Sequence, residues 1–408
     1  MDESNIIEAK NLAVGYGKKK VISHINITVK KGQMICLLGP NGTGKSTILR
    51  TLSGHLQPLE GEIRLYGKEI HKIKKKELAK VLSVVLTEKI DPELITVTQM
   101  VTLGRQPHTN FWGELSKKDK KIVTDCLELV HATHLKDRYY STLSDGEKQK
   151  VMIARALAQE PKVIVLDEPT SHLDVKHKVE VLSILRKMSR DKGIITIISL
   201  HDVDLALKTC DVIVMLKDGK VVDWGLPDRI IKPNTIGNLY DIEAAGYNHK
   251  LGCMELLSCE GGRVFVLAGG GTGIPIYRTL SKNSIGFSTG ILYENDIDTY
   301  ISSTMKAKTI TIKNSKEIAK AIQKAKEAID SCEILIDGGY ESEEVESCKS
   351  NLINYAIAKN KRIISLSKNK ISLKIHPMTY LQEQLHKMLH CEQDESQEKE
   401  YIVLGECR

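Results

Sequence analysis

Gly39-Pro40-Asn41-Gly42-Thr43-Gly44-Lys45-Ser46-Thr47 is a G-x-x-x-x-G-K-[ST] stretch, set between the apolar run Met34–Leu38 and an apolar helical pattern beginning near Lys45. Its glycines let successive backbone N–H groups turn inward around phosphate oxygens, and the helix behind the loop adds the positive end of its dipole. Gly39, Pro40, Asn41, Gly42, Thr43, Gly44 and Thr47 are then the cradle of a nucleotide, ATP, with Lys45 reaching the β- and γ-phosphates and Ser46 binding Mg2+. A glycine turn without function is the alternative, and it does not explain a strand and a helix at the right places on either side.

Working outward from the loop, a second apolar strand run, Val163–Leu166, delivers Asp167 and Glu168 at its C-terminal end, where open parallel sheets bind their ligands. Asp167 suits the Mg2+ shell, directly or through water. Glu168 suits the general base that orients or deprotonates the attacking water, while Lys45 stabilises the transferring phosphoryl group. Acidic residues often cap strands, so the pair draws its weight from sharing a chain with the phosphate loop. Similar strand runs at Val81–Leu86, Ile194–Leu200 and Val212–Leu216, with helical patterns between them, point to an α/β layer architecture.

Just upstream of Asp167 stands Leu143-Ser144-Asp145-Gly146-Glu147-Lys148-Gln149, and with it residues 6–240 resemble the ATP-binding cassette family. Further motifs follow in that family's order. Ser171-His172-Leu173-Asp174 is similar to the loop after the magnesium strand, His201 to the switch histidine, and Tyr16, in Val14-Gly15-Tyr16-Gly17, to the aromatic that stacks on adenine. The resemblance implies a P-loop NTPase cassette with a RecA-like core, a helical subdomain and an antiparallel β subdomain. It also implies a head-to-tail dimer of two copies, in which the signature segment of one copy, with Ser144 and Gly146, covers the ATP of the other, and it adds Asp174 to the nucleotide-binding residues. The expected catalytic residues are Glu168, His201 and Lys45.

The stretch Gly104-Arg105-Gln106-Pro107, followed by Trp112, is most similar to ATPases of importers for iron chelates, haem and vitamin B12. That resemblance implies two integral membrane permease subunits as partners, a periplasmic or surface substrate-binding protein acting indirectly, no nucleic acid, and a peripheral position on the cytoplasmic face of the cell membrane. Two departures from the family stand out. Thr87 and Glu88 occupy the place where a glutamine usually contacts magnesium. Asp145 and Glu147 stand where Gly and Gln are usual, and they would repel a γ-phosphate unless they point away or pair with Lys148 or Lys150. A soluble cassette ATPase acting on nucleic acid or ribosomes is the rival, but one phosphate loop and one signature about 100 residues apart fit it poorly.

The chain has 408 residues, enough for two or three domains at roughly 150 residues each. Hydrophobic residues make up 41% and charged residues 27%, which excludes a disordered or collagen-like chain. No apolar run approaches the ~18 residues that span a bilayer. The N-terminus MDESNIIEAK is acidic where a signal peptide is basic and then apolar. The net charge of +7 lies in the first part: residues 1–250 hold 39 Lys and Arg against 31 Asp and Glu, whereas residues 251–408 hold 20 against 21. Nine cysteines without a C-x-x-C pair read as reduced thiols rather than disulfides or a zinc site.

The pattern weakens over 243–262, so the expected organisation is a cassette over 1–242, a linker over 243–262 and a smaller Rossmann-like α/β domain over 263–408. In that domain Val264–Leu267 leads into Gly269-Gly270-Gly271-Thr272-Gly273, a strand, glycine loop and helix that lacks the G-K-[ST] ending and the G-x-G-x-x-G spacing. Asn295, Asp296, Asp298 and Asp337 are expected to converge with it at one sheet edge. A ligand pocket there and a purely structural or regulatory domain are both open on sequence, and so is a cassette governed by a ligand-sensing C-terminal domain.

Overall fold

The computed structural model describes residues 5–86, 92–109, 114–259, 262–340, 343–366 and 377–390. The chain divides into two compact units, Met1–Thr235 and Ile236–Arg408. Thr87, Glu88 and Trp112 lie outside the described residues.

The first unit is built on ten strands: β1 (Asn5–Tyr16), β2 (Lys19–Lys30), β3 (Met34–Leu38), β4 (Glu60–Leu65), β5 (Lys68–Glu69), β6 (Leu82–Val85), β7 (Val163–Leu166), β8 (Ile195–Ser199), β9 (Val212–Lys217) and β10 (Lys220–Gly225). They form one sheet in the order β5-β4-β1-β2-β10-β9-β3-β8-β7-β6. Strands β6, β7, β8, β3 and β9 run parallel, whereas β1 pairs antiparallel with both β2 and β4. Strands β3, β7 and β8 are buried along their whole length, which is why they read as unbroken apolar runs. Being parallel, they bring their carboxyl ends, and the residues that follow, to one edge.

The helices of this unit are α1 (Lys45–Leu52), α2 (Lys75–Leu78), α3 (Val97–Thr102), α4 (Lys117–Leu129), α5 (Asp145–Ala158), α6 (Val175–Lys192), α7 (Val203–Thr209) and α8 (Pro227–Ile230). Ser116, Ser144 and Thr96 each open a helix with a reciprocal capping box, so the starts of α4, α5 and α3 are fixed locally. Helices α3, α4 and α5 pack on one another as the helical part. Arg105 locks it: its Nε donates to Asp119 Oδ1 at 2.8 Å and its Nη1 to Ala158 O at 2.6 Å.

The second unit begins within α9 (Thr235–Tyr240) and continues into the antiparallel hairpin β11 (Ala245–Asn248) and β12 (Cys253–Leu256). Part of the stretch expected as a linker, residues 245–256, is therefore a hairpin. Asn248 Nδ2 donates to Tyr300 O at 2.9 Å, and Glu255 is held by the Arg278 guanidinium, so side chains tie the hairpin to the helices that follow it. Beyond it, β13 (Val264–Leu267), β14 (Phe287–Tyr293), β15 (Lys308–Ile312), β16 (Ile334–Asp337) and β17 (Arg362–Ser365) form an all-parallel sheet in the order β15-β14-β13-β16-β17. Helices α10 (Gly273–Lys282), α11 (Ile297–Thr304), α12 (Ile318–Ser331), α13 (Glu343–Ala358) and α14 (Pro377–His390) alternate with the strands. Two apolar clusters lie on this sheet, one around Tyr277, Phe287 and Leu381 and the other around Phe265, Ile312 and Ile329, as a doubly wound fold requires. Among the described residues no helix is long and apolar enough to cross a membrane.

Candidate nucleotide site

Strand β3 is followed by Gly39, whose φ of 154° and an added Cβ only 2.2 Å from Leu216 O leave room for glycine alone. Gly44, with φ 96°, closes the loop in the left-handed region as the cap of α1, and a Cβ there would meet Val21 Cγ1 at 2.6 Å. Between them Thr43 Oγ1 donates to Pro40 O at 2.9 Å, which folds the loop on itself and leaves Asn41 and Gly42 exposed. Ser46 and Thr47 lie in the first turn of α1. The close approach of Val21 to Gly44 sets the β1–β2 hairpin beside this loop, and Tyr16 stands half exposed at its tip.

Lys45 is buried and bends back on its own loop, its Nζ donating to Gly39 O at 2.7 Å and Pro40 O at 3.0 Å. Burial pulls its pKa down, and the carboxylates of Glu168 and Asp167 oppose that shift. The loop and the end of β7 are thus close enough to interact electrostatically.

Ser199, the last residue of β8, ties the two acidic residues together. Its Oγ donates to Asp167 Oδ1 at 2.7 Å and accepts the backbone N–H of Glu168 at 2.8 Å. Glu168 has a left-handed backbone, φ 49°. The carboxylate is then held on both sides, Oε2 accepting from Ser171 Oγ at 3.1 Å and Oε1 lying 2.6 Å from His201 Nε2. Asp167 and the hydroxyl of Ser46 are hard oxygen donors of the kind Mg2+ takes.

Ser144 and Gly146 form a second group with Asp174. Asp174 caps α6 by accepting from His177 N at 2.8 Å, and His177 Nδ1 lies 2.8 Å from the same Oδ1. The held ring packs on Gly146, where an added Cβ would come within 2.8 Å of His177 Cγ. Ser171 touches Glu168, and the same short loop ends at Asp174, whose partner His177 packs on the start of α5. Ser199 and His177 were not legible as site residues, because each acts through a partner distant in sequence or on a neighbouring helix.

Of the signature's carboxylates, Glu147 does not pair with Lys148 or Lys150. It folds back on Ser144, accepting from Ser144 N at 2.9 Å and Ser144 Oγ at 3.0 Å, and its charged neighbour is Arg138, 3.7 Å away. Lys148 lies over the Tyr140 ring, and Lys150 pairs with Glu180.

In the second unit, Asp296 and Asp298 do meet the glycine loop, but they fill it. Gly270 N donates to Asp296 Oδ2 at 3.0 Å, and Gly271 N and Gly273 N donate to Asp298 Oδ2 at 3.1 and 3.2 Å. Amides that would face a phosphate are therefore satisfied by the chain's own carboxylates. Burial raises the Asp298 pKa to about 6. Asp337 sits in the same unit with its own counter-ion, Lys349 Nζ at 2.8 Å.

Residues 22–171 match the ABC transporter family, and residues 287–395 match the MJ0874 family. An uncharacterized ABC transporter ATP-binding protein of Methanocaldococcus jannaschii, MJ0873, is 43% identical over 289 residues, which are 70% of this chain and the whole of that protein. The chain belongs to the ABC transporter ATP-binding family. Other relatives of this ABC ATPase include the iron(3+)-hydroxamate import ATP-binding protein FhuC of Bacillus subtilis, 34% identical over 59% of this chain and 89% of that protein. The cobalamin import ATP-binding protein BtuD of Halobacterium salinarum is 30% identical over 72% and 75% of the two chains. Among solved structures, cbiO1 of Clostridium perfringens matches with a TM-score of 0.51 at 32% identity, covering 56% of this chain and 91% of that one. The ADP conformation of the cassette MJ1267 matches with a TM-score of 0.50 at 26% identity over 54% and 91%. The resemblance to iron-chelate and vitamin B12 importer ATPases thus recurs among the relatives of this ABC ATPase.

Proposed function

We propose that this ABC ATPase is the motor subunit of a membrane importer for a metal chelate, such as an iron siderophore or haem, or for a corrinoid of the vitamin B12 type. The observation that carries the reading is Glu168, set on a left-handed backbone and gripped by Ser171 and His201 beside the buried Lys45. A carboxylate fixed in this way can orient one water and take its proton without reorganising, and general-base action of this kind contributes on the order of 10²–10⁴-fold. Lys45 exchanges its two backbone acceptors for β- and γ-phosphate oxygens when ATP fills the loop. His201 steadies Glu168 and reaches the γ-phosphate or the attacking water. Ser46 and Asp167 would hold Mg2+, which would neutralise part of the phosphate charge. Tyr16 offers its exposed ring to the adenine.

Two copies associate head to tail, so that Ser144, Gly146 and the loop of Asp174 in one cover the ATP of the other. Closing and reopening move two integral membrane permease subunits, with the ATPase peripheral on the cytoplasmic face and a substrate-binding protein delivering cargo from outside. The test is ATPase activity of the full chain purified with its permease in liposomes. Ferric hydroxamates, haem and corrinoids are added with the binding protein; stimulation by one class identifies the cargo, and no stimulation by any contradicts the importer reading.

A further inference from the structure

Helix α5 opens with Asp145 and Glu147, so carboxylates stand at an end whose backbone amides favour an anion. Glu147 occupies the donors of Ser144 that a phosphate oxygen would use, the backbone N–H and the hydroxyl. Those two hydrogen bonds, with the Arg138 charge, hold its carboxyl below the usual carboxylate range, so it is ionised at neutral pH. Arg138 is fixed at the same rim by Nη2 donating to Thr142 O at 2.9 Å, and it remains about half exposed, with Nη1 at 3.7 Å from Glu147 Oε1. At that distance the pair is formed but can still shorten to a direct hydrogen bond of about 2.8 Å.

A bare Glu147 would oppose an incoming phosphate, because like charges a few ångströms apart repel by kilocalories in a partly desolvated setting. We propose that Arg138 is a positioning residue of the ATP-bound dimer, neutralising Glu147 and drawing it off Ser144 so that the hydroxyl and the start of α5 become available to the γ-phosphate held by a second copy. The inference rests on the head-to-tail reading above. It explains how this chain carries Glu147 in its signature: Glu147 and Arg138 act as one neutral unit.

The experiment measures the ATP-dependent dimer of full-length Glu168→Gln by sedimentation at low salt. Adding Arg138→Ala should weaken the dimer about tenfold or more, since the charge is left bare at two symmetric interfaces. Glu147→Gln should leave the dimer as strong or stronger. Arg138→Ala combined with Glu147→Gln should return to within about twofold of Glu147→Gln alone, because the two positions are coupled. That recovery also excludes misfolding as the cause of the loss, and binding of a fluorescent ATP analogue to the monomer should not change. Equal loss from Arg138→Ala in both backgrounds, or no loss in either, overturns the proposal while leaving the dimer intact. A Glu168→Gln protein that never dimerises with ATP refutes the head-to-tail reading, and this inference with it.

Discussion

Glu168 sits in the left-handed backbone region, a conformation that costs a non-glycine residue about 1–2 kcal/mol. Ser199 and Ser171 supply the hydrogen bonds that hold it there, one at its backbone and one at its carboxylate. Gly146 has a comparable constraint of shape, since the His177 ring occupies the space of a Cβ and Asp174 prevents the ring from moving aside. Gly146→Ala should therefore lower stability by about 1–3 kcal/mol through overpacking, although alanine is the better helix former by about 1 kcal/mol. Adding His177→Ala should recover the loss, and thermal melts check this; a Gly146→Ala protein as stable as the parent contradicts the packing. Lys45, Ser46, Asp167 and Glu168 were legible in the sequence because the chemistry demands those residue types at fixed spacing. Ser199 and Arg138 were not, since a lone serine at the end of an apolar strand and an arginine before a signature reveal their partners only after folding.

At the scale of elements, the parallel strands announced themselves as apolar runs, whereas β14 did not. Its sequence Phe287-Ser288-Thr289-Gly290-Ile291 breaks the run with polar residues that the fold satisfies internally: Thr289 is fully buried and donates to Val266 O at 2.9 Å. The hairpin of β11 and β12 was hidden for the same reason, its stability coming from Arg278 and Asn248 rather than from an apolar pattern. The helical part carries a similar polar lock. Ser116 and Arg105 together hold the Asp119 carboxyl at about 2, far below its ordinary value. A carboxyl depressed in the folded state adds stability above about pH 4 and loses that contribution as the pH falls toward 2. Asp119→Asn should therefore cost about 1–3 kcal/mol at pH 7, and the melting temperatures of variant and parent should converge on acidification. Parallel pH profiles for the two proteins would show that the Asp119 charge does not brace α4 against Arg105.

Across the whole molecule, one unit of Met1–Thr235 holds every residue assigned to the nucleotide, and a second, doubly wound unit follows. Motif order along the chain was enough to expect both, because each βα turn of a parallel sheet places its functional residues at the same edge. The sequence brought Asp296 and Asp298 to the edge of the second glycine loop, but that their carboxylates fill it, from more than twenty residues downstream, shows only in the folded chain. The basic excess of residues 1–250 remains a property of that part of the chain and selects no partner. The central claim is that a single carboxylate, Glu168, activates the water that cleaves ATP. It is tested most directly by measuring ATP binding and steady-state hydrolysis side by side for the full-length protein and Glu168→Gln. ATP affinity should be retained while turnover falls by at least about 100-fold; turnover near that of the parent would contradict the account.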